Sequence, residues 1–200
     1  MRRQVKPTDH PKAAKLSIQQ KLESILEENR RLLQGLSDKT VEDFIQRILG
    51  ARAIFFCAQG RSGFILRCFC MRLMHLGQQV YFCGETITPA IEREDMLIVL
   101  SGSGETPSTL EAVKLAKERE AFTFGVLGNV ESRIASLVDR YIHLPGTTKL
   151  RCDSEPPSLQ MAGSLFEQAA FIFLEAIILT LHQERLAGVD TFSPRHAVIE

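Results

Sequence analysis

The stretch Met96-Leu97-Ile98-Val99-Leu100-Ser101-Gly102-Ser103-Gly104-Glu105-Thr106-Pro107 joins an apolar run to a glycine- and serine-rich turn and a helix start. The run Met96–Leu100 lacks the polar alternation of a half-exposed strand, which predicts a central strand with helices on both faces of its sheet. Thr106 can cap the helix, and Pro107 suits its first turn because the missing N–H is not needed there. The stretch therefore predicts one strand-turn-helix unit of a parallel sheet.

Short apolar runs alternate with helical patterns on both sides of this stretch. The predicted strands are Ala53–Cys57, Gln79–Phe82, Met96–Leu100, Phe122–Val126 and Arg140–Leu144. Strands that alternate with helices are typical of parallel α/β proteins. We therefore predict an α/β fold with a five-stranded parallel sheet flanked by helices.

Helical patterns also precede and follow the sheet. Leu16–Leu33 has apolar residues at helical spacing among charged neighbours, and Ser37 is the expected N-cap of a second helix that ends near Gly50. A long helix is predicted from Met161 to about Arg185, with a middle that is apolar nearly all round. Such a helix needs cover from its own sheet and from another subunit, so we predict a homo-oligomer.

Composition and charge restrict the functional classes. The chain has 200 residues, with 24 basic and 24 acidic side chains, which predicts one domain at 16–200 behind a flexible basic tail at 1–15. The balanced charge gives no indication of nucleic acid as a partner. Five cysteines, none in a Cys-x-x-Cys pair, favour a reducing cytoplasm and no metal site. The uncharged run Gln168–Leu174 is broken by Glu175 and is too short to span a bilayer, so no membrane helix is expected.

The turn after the central strand has the parts of a phosphate site. Free amides at the helix N-terminus, the helix dipole and the hydroxyls of Ser101, Ser103 and Thr106 predict a neutral cradle for a phosphate. Gly102 and Gly104 allow the backbone to approach a ligand closely. Spacing alone leaves open a turn that merely caps a helix. The expected position at the carboxyl end of a strand, where ligands bind in α/β sheets, favours the phosphate site.

A second glycine turn, Gln59-Gly60-Arg61-Ser62-Gly63, follows the first strand in the same way. Both turns should reach one rim of the sheet and hold opposite ends of one ligand. The turn does not fit a dinucleotide fingerprint, because Ala58 stands at the first glycine position. Two interpretations of Arg61 stay open: it binds a substrate hydroxyl or phosphate, or it forms an exposed ion pair with Glu85.

A third cluster, Gly163-Ser164-Leu165-Phe166-Glu167-Gln168, begins the long helix just after a polar loop predicted between Leu144 and Gln160. An acid in a first helical turn is favoured by the helix dipole alone, which is one interpretation of Glu167. The alternative interpretation is that apolar neighbours such as Phe166 make the Glu167 carboxylate a better proton acceptor, as a general base requires.

Together these segments resemble the 6-phospho-3-hexuloisomerase family, which has the SIS (sugar isomerase) fold. The matching segments are Gly60-Arg61-Ser62-Gly63, Gly84-Glu85-Thr86 with Thr88-Pro89, Ser101-Gly102-Ser103-Gly104-x-Thr106, Gly163-Ser164-Leu165-Phe166-Glu167-Gln168 and Arg195-His196-Ala197. The resemblance implies a single SIS domain, a flavodoxin-like three-layer sandwich with a helical N-terminal preface and a long C-terminal helix. It also implies interconversion of D-arabino-3-hexulose 6-phosphate and fructose 6-phosphate through an enediol, in the ribulose monophosphate pathway of formaldehyde fixation, without a cofactor.

The resemblance also implies roles for individual residues. Glu167 would be the catalytic base, and His196 would help to open the ring or move hydroxyl protons, reaching a neighbouring subunit's site in a tetramer. The remaining site residues would bind the sugar (Gly60, Arg61, Ser62, Glu85, Thr86) or the phosphate (Ser101, Gly102, Ser103, Gly104, Thr106).

Two departures from the family pattern lie beside the expected site. Ala58 stands where such proteins usually have Gly, and Gln160-Met161-Ala162 stands where a Pro-Met pair often precedes the Gly-Ser. Two alternatives therefore stay open: a non-catalytic SIS sensor of phosphosugars, and an SIS isomerase that acts on another aldose or ketose phosphate. Glu167 favours an enzyme, because a sensor needs no base.

Overall fold

The computed structural model describes residues 16–146 and 158–185. The predicted tail 1–15, most of the predicted loop before Gln160, and the C-terminal segment with His196 lie outside the described residues. The elements in chain order are α1 Ile18–Leu33, α2 Asp38–Gly50, β1 Ile54–Cys57, α3 Gly60–His75, β2 Val80–Phe82, β3 Met96–Ser101, α4 Pro107–Glu118, β4 Phe122–Leu127, α5 Arg133–Leu137, β5 Arg140–His143 and α6 Ser164–Thr180, which continues as a π-helical turn, Leu181–Arg185.

The strands form one parallel sheet in the order β2-β1-β3-β4-β5. All five predicted strands are confirmed, with ends that differ by at most one residue. In the middle of the sheet, Met96 of β3 pairs with Ile54 of β1 and with Phe122 of β4. Every residue of β3 is buried, as the apolar run predicted. Because all strands are parallel, the turns that follow β1 and β3 leave from the same rim.

Helices cover both faces of the sheet, which confirms the three-layer sandwich. Alternate residues of β3 enter different cores: Ile98 packs in the cluster that contains α1, α2, α3 and α6, and Val99 packs with α4 and α5. The N-terminal helices belong to the first of these layers. Phe44 of α2 is fully buried, with its ring centroid 4.5 Å from that of Phe124 in the sheet.

The two N-terminal helices differ in how their first turns are capped. α1 begins with a capping box, in which the Ser17 hydroxyl accepts the Gln20 N–H and the Gln20 side chain accepts the Ser17 N–H. This Ser-x-x-Gln pattern is a local signal that places the helix start after Leu16. Ser37 occupies the N-cap position of α2, as predicted, but its side chain makes no capping hydrogen bond.

Helix α6 has one face in the core and one face exposed. Its buried side includes Phe166, Ala169 and Phe173, whereas Phe171 and Ile172 are exposed. By length and composition alone, Ser164–Gln183 could span a membrane, although the uncharged run Gln168–Leu174 within it is too short to do so. The burial of the inner face against α3 and the sheet accounts for the apolar sequence as that of a core helix.

Candidate active site

A cleft of about 560 Å³ opens at the rim formed by the carboxyl ends of β1 and β3 and the start of α6. The cleft is lined by residues of three segments: Gln59, Gly60, Arg61 and Ser62; Leu100, Ser101, Gly102, Ser103 and Thr106; and Met161, Ala162, Gly163, Ser164, Phe166 and Glu167. The three motifs singled out in the sequence therefore meet in one cavity.

The turn 101–106, here called the serine loop, is held in shape by its own hydroxyls. Ser101 Oγ accepts the N–H of Gly104 at 3.0 Å, and Ser103 Oγ accepts the N–H of Glu105 at 3.2 Å. A hydroxyl that accepts one hydrogen bond still has its own proton to donate. These two amides are therefore occupied, which corrects the expectation that they are free, whereas both hydroxyls remain donors at the cleft.

Thr106 holds the N-cap position of α4 but does not cap the helix with its side chain. Its Oγ1 instead lies 3.4 Å from Ser101 Oγ, and the residue lines the cleft. Pro107 is the first residue of α4, as predicted. The Thr106 hydroxyl is thus directed to the same place as the hydroxyls of the serine loop.

The serine loop packs too closely on its neighbours for side chains at two glycines. Gly104 has φ +65°, and a Cβ there would lie 1.9 Å from Ser132 Oγ. A Cβ at Gly128, after β4, would lie 2.6 Å from the carbonyl oxygen of Gly102. The segment after β4 was not recognised in the sequence as part of the site, because its role depends on proximity in space.

An ion pair braces the serine loop from α5. The Glu105 carboxylate accepts the backbone N–H of Arg133 at 2.8 Å and its Nε–H at 2.5 Å. These two donors, the backbone N–H first, hold the pKa of Glu105 below its ordinary value. Local spacing gives no signal for this contact, because Arg133 lies 28 positions after Glu105.

Arg61 and Glu167 both line the cleft and form an ion pair there. Arg61 Nε donates to Glu167 Oε2 at 2.5 Å, and the side chain of Arg61 is 67% exposed whereas that of Glu167 is 14% exposed. The alternative of an Arg61–Glu85 pair is wrong, because Glu85 pairs with Arg67, one and a half turns further along α3. The pairing also corrects the expectation that the surroundings of Glu167 are apolar.

Phe166 fixes the start of α6 against the serine loop. Its side chain is 1% exposed, and a Cβ on Gly102 would lie 3.1 Å from its ring. On its other side, a Cβ on Gly146 would lie 2.7 Å from its backbone nitrogen. This close packing sets the position of Glu167, the next residue, relative to the serine loop.

Some predicted site residues are not brought into the cleft. Glu85 and Thr86 are not among its lining residues, and Glu85 lines a separate groove beside β2. Gly104 lies behind the cleft surface, bonded to Ser101, and His196 lies outside the described residues. Within the described residues, no group of three or more His, Cys, Asp or Glu side chains is placed to hold a metal ion.

Comparisons with known proteins agree on one family. The family profile of the SIS domain matches residues 47–164. The chain is 34% identical to 3-hexulose-6-phosphate isomerase of Bacillus subtilis, over 88% of this chain and 95% of that protein. It is 39% identical to 3-hexulose-6-phosphate isomerase of Methanocaldococcus jannaschii, over 78% of this chain and 82% of that protein. A crystal structure from Methanococcus jannaschii, described with an inferred function of 3-hexulose-6-phosphate isomerase, has a TM-score of 0.78 and 33% identity, over 90% and 99% of the two chains.

Proposed function

The chain belongs to the SIS domain family and, within it, to the 3-hexulose-6-phosphate isomerases, and from this we propose that it interconverts D-arabino-3-hexulose 6-phosphate and fructose 6-phosphate. It is accordingly a sugar-phosphate isomerase. The observation that carries the proposal is the position of the Glu167 carboxylate in the same cleft as the serine loop. One cavity thus offers a proton acceptor and a set of hydroxyl donors suited to a phosphate.

The reaction moves a carbonyl from C3 to C2 of the sugar. A base takes the proton from C2, which gives a 2,3-enediol, and the same proton is returned at C3 while a proton passes from the C2 oxygen to the C3 oxygen. One carboxylate can perform both transfers at carbon, so we assign Glu167 as the base. Proton transfer by a placed base contributes roughly 10²–10⁴-fold, and hydrogen bonds to the enediolate oxygens supply much of the remainder.

The serine loop is the proposed phosphate site. Its hydroxyls at Ser101 and Ser103 each accept a loop N–H and keep a proton for a phosphate oxygen. The N-terminus of α4 adds a favourable dipole for an anion, and Thr106 adds a third hydroxyl. Gly102 and Gly104 contribute by their lack of a side chain, because Gly102 lies against Phe166 and Gly104 lies against Ser132.

Arg61 is the proposed contact to the sugar oxygens, together with Gly60 and Ser62. Its exposed guanidinium already lies beside Glu167, so a substrate in the cleft would place its reacting carbons next to both side chains. A guanidinium there can donate to an enediolate oxygen. The roles proposed for Glu85, Thr86 and His196 rest on the resemblance alone, since the first two do not line the cleft and His196 lies outside the described residues.

Exposed apolar side chains support the proposal of a homo-oligomer. α1 presents Ile18, Leu22 and Leu26 at spacings of four residues, exposed by 73%, 50% and 66%. α6 adds a second exposed apolar face with Phe171 and Ile172. Apolar helix faces exposed in this way are typical of subunit contacts. We propose a cytoplasmic tetramer with shared sites that acts in the ribulose monophosphate pathway, and light scattering of the purified protein tests the tetramer.

A phosphosugar panel tests the substrate. We expect turnover of D-arabino-3-hexulose 6-phosphate without added metal or nucleotide, at least about tenfold faster than turnover of an aldopentose 5-phosphate or a heptose 7-phosphate. Faster turnover of another member would move the assignment to a different SIS isomerase. Binding of fructose 6-phosphate without turnover of any member would contradict the enzyme and favour the non-catalytic sensor.

A further inference from the structure

A carboxylate on α1, outside the cleft lining, binds the segment that leads into the cleft. Glu28 accepts hydrogen bonds from the hydroxyl of Ser158 at 2.7 Å, the backbone N–H of Leu159 at 3.0 Å and the side-chain amide of Gln160 at 2.9 Å. The Ser158 hydroxyl also accepts the N–H of Gln160 at 3.0 Å. All three consecutive residues therefore donate a hydrogen bond to the Glu28 carboxylate.

Residues 158–163, here called the wall segment, form one side of the cleft. Met161, Ala162 and Gly163 line the cavity, and Gly163 is the N-cap of α6, with φ +90°. The wall segment has no helix or strand of its own. Leu159 is 74% exposed and Met161 is 82% exposed, so these large side chains bury little surface. Polar contacts to Glu28, rather than apolar packing, therefore hold the wall segment in place.

The helix that carries Glu28 is fixed to the helix that carries the proposed base. Asn29 Nδ2, on the next residue, donates to Gln168 Oε1 at 2.9 Å, and Gln168 follows Glu167 on α6. Leu32, one turn further along α1, is 8% exposed and belongs to the same core as α6. These contacts fix Glu28 relative to Glu167. The hydrogen bonds of Glu28 in turn fix the wall segment relative to Glu167.

We propose that Glu28 is a positioning residue that holds the wall segment against a phosphosugar in the cleft and thereby sets the affinity for the substrate. The inference rests on the proposed function, because it concerns the same cleft. Glu167 contacts the wall segment only at its last residue, where its backbone N–H donates to the Gly163 carbonyl at 3.0 Å, and the burial of Leu165 and Phe166 fixes the start of α6 independently of residues 158–162. Loosening of the wall segment should consequently raise KM and leave kcat nearly unchanged.

The contacts of Glu28 require a carboxylate. Burial disfavours its ionised form, but the Leu159 amide, the Ser158 hydroxyl and the Gln160 amide together hold the pKa of Glu28 below its ordinary value. A glutamine in its place would offer one acceptor oxygen and would turn an NH₂ group towards donors. The substitution Glu28→Gln keeps the size of the side chain, removes its charge and leaves one of its two acceptor oxygens.

Steady-state kinetics of Glu28→Gln and Glu28→Ala test the proposal, with Glu23→Gln as the control. Glu23 is an exposed glutamate of the same helix, and its side chain accepts a 3.4 Å hydrogen bond from Gln19 on the same helix. We expect about a tenfold higher KM for D-arabino-3-hexulose 6-phosphate in both Glu28 variants, with kcat within about twofold of the parent. The control should match the parent in both constants.

Other outcomes overturn the inference. An unchanged KM contradicts it, and so does a fall of kcat at constant KM, which is what a smaller folded fraction would cause. Calorimetric titration with fructose 6-phosphate provides a second measurement that needs no turnover. If the parent does not turn over, the proposed function fails. In that case a roughly tenfold weaker affinity of Glu28→Gln for fructose 6-phosphate still supports Glu28 as a positioning residue. An unchanged affinity overturns that role.

Discussion

The serine loop and the wall segment border the same cleft but are held in opposite ways. The serine loop is part of the core: Ser101 is 3% exposed, and Gly104 and its neighbours leave no space for a Cβ. The wall segment lies on the surface, with Met161 82% exposed, and is tied to α1 by the polar contacts of Glu28. The difference indicates that the proposed phosphate end of the cleft is held by close packing, whereas the proposed sugar end is held by a side chain distant in sequence.

The largest effect is expected from Gly104→Ala, which tests the rigidity of the serine loop. A residue with φ +65° is strained once it has a Cβ, and this Cβ would also lie 1.9 Å from Ser132 Oγ. We expect the free energy of unfolding to fall by about 2–4 kcal/mol in urea denaturation. Gly50→Ala is the matched control, because a Cβ at Gly50 meets no atom within 4 Å. Equal stability of the two variants would show that the loop is not tightly packed.

The next largest effect is expected from a comparison of the two ion-paired arginines of α3. Arg61 pairs with Glu167 inside the cleft, and Arg67 pairs with Glu85 outside it. We expect Arg61→Gln to lower kcat/KM by about 10–100-fold, since a hydrogen bond to a charged group is lost at the reacting atoms. Arg67→Gln should stay within about twofold of the parent. A similar loss in both variants, measured in the same assay, would place the sugar end of the site elsewhere.

The smallest effect is a pH dependence of stability that tests the brace of the serine loop. The pKa of Glu105 is below its ordinary value, so its contribution is present above the unfolded pKa of about 4.5 and is lost as pH falls through the folded pKa. We expect the difference in unfolding free energy between the parent and Glu105→Gln to be measurable at pH 6 and to shrink as the pH falls through the folded pKa. A difference for Glu105→Gln that is independent of pH would contradict the brace.

Local patterns were sufficient for the parts of the molecule that depend on neighbours in sequence. The apolar run of β3 predicted a buried central strand, and the turns after β1 and β3 predicted one shared rim, because each signal lies within a few residues. The capping box of Ser17 and Gln20 is also a local signal, but it was not used, and the helix was predicted to start at Leu16 instead of Ile18. The alternative that pairs Arg61 with Glu85 was wrong, and nothing in local spacing distinguishes that acid from Glu167, 106 positions away.

The contacts that complete the site join distant parts of the chain. Glu28 meets Ser158 across 130 positions, and Gly128 approaches Gly102 after a strand and a helix intervene. No periodicity encodes such contacts, because they arise only after the sheet orders its strands and α6 packs on α1. The sequence therefore predicts which motifs share the rim, whereas the braces of those motifs are visible only in three dimensions.

The rate of fructose 6-phosphate formation from D-arabino-3-hexulose 6-phosphate by the parent and by Glu167→Gln tests the central claim most directly. Glu175→Gln, on the same helix but outside the cleft lining, is the matched control. We predict at least about a 100-fold lower kcat for Glu167→Gln, with calorimetric affinity for fructose 6-phosphate retained and the control near the parent. A Glu167→Gln enzyme that keeps more than about a tenth of the parental kcat would contradict the assignment of Glu167 as the base.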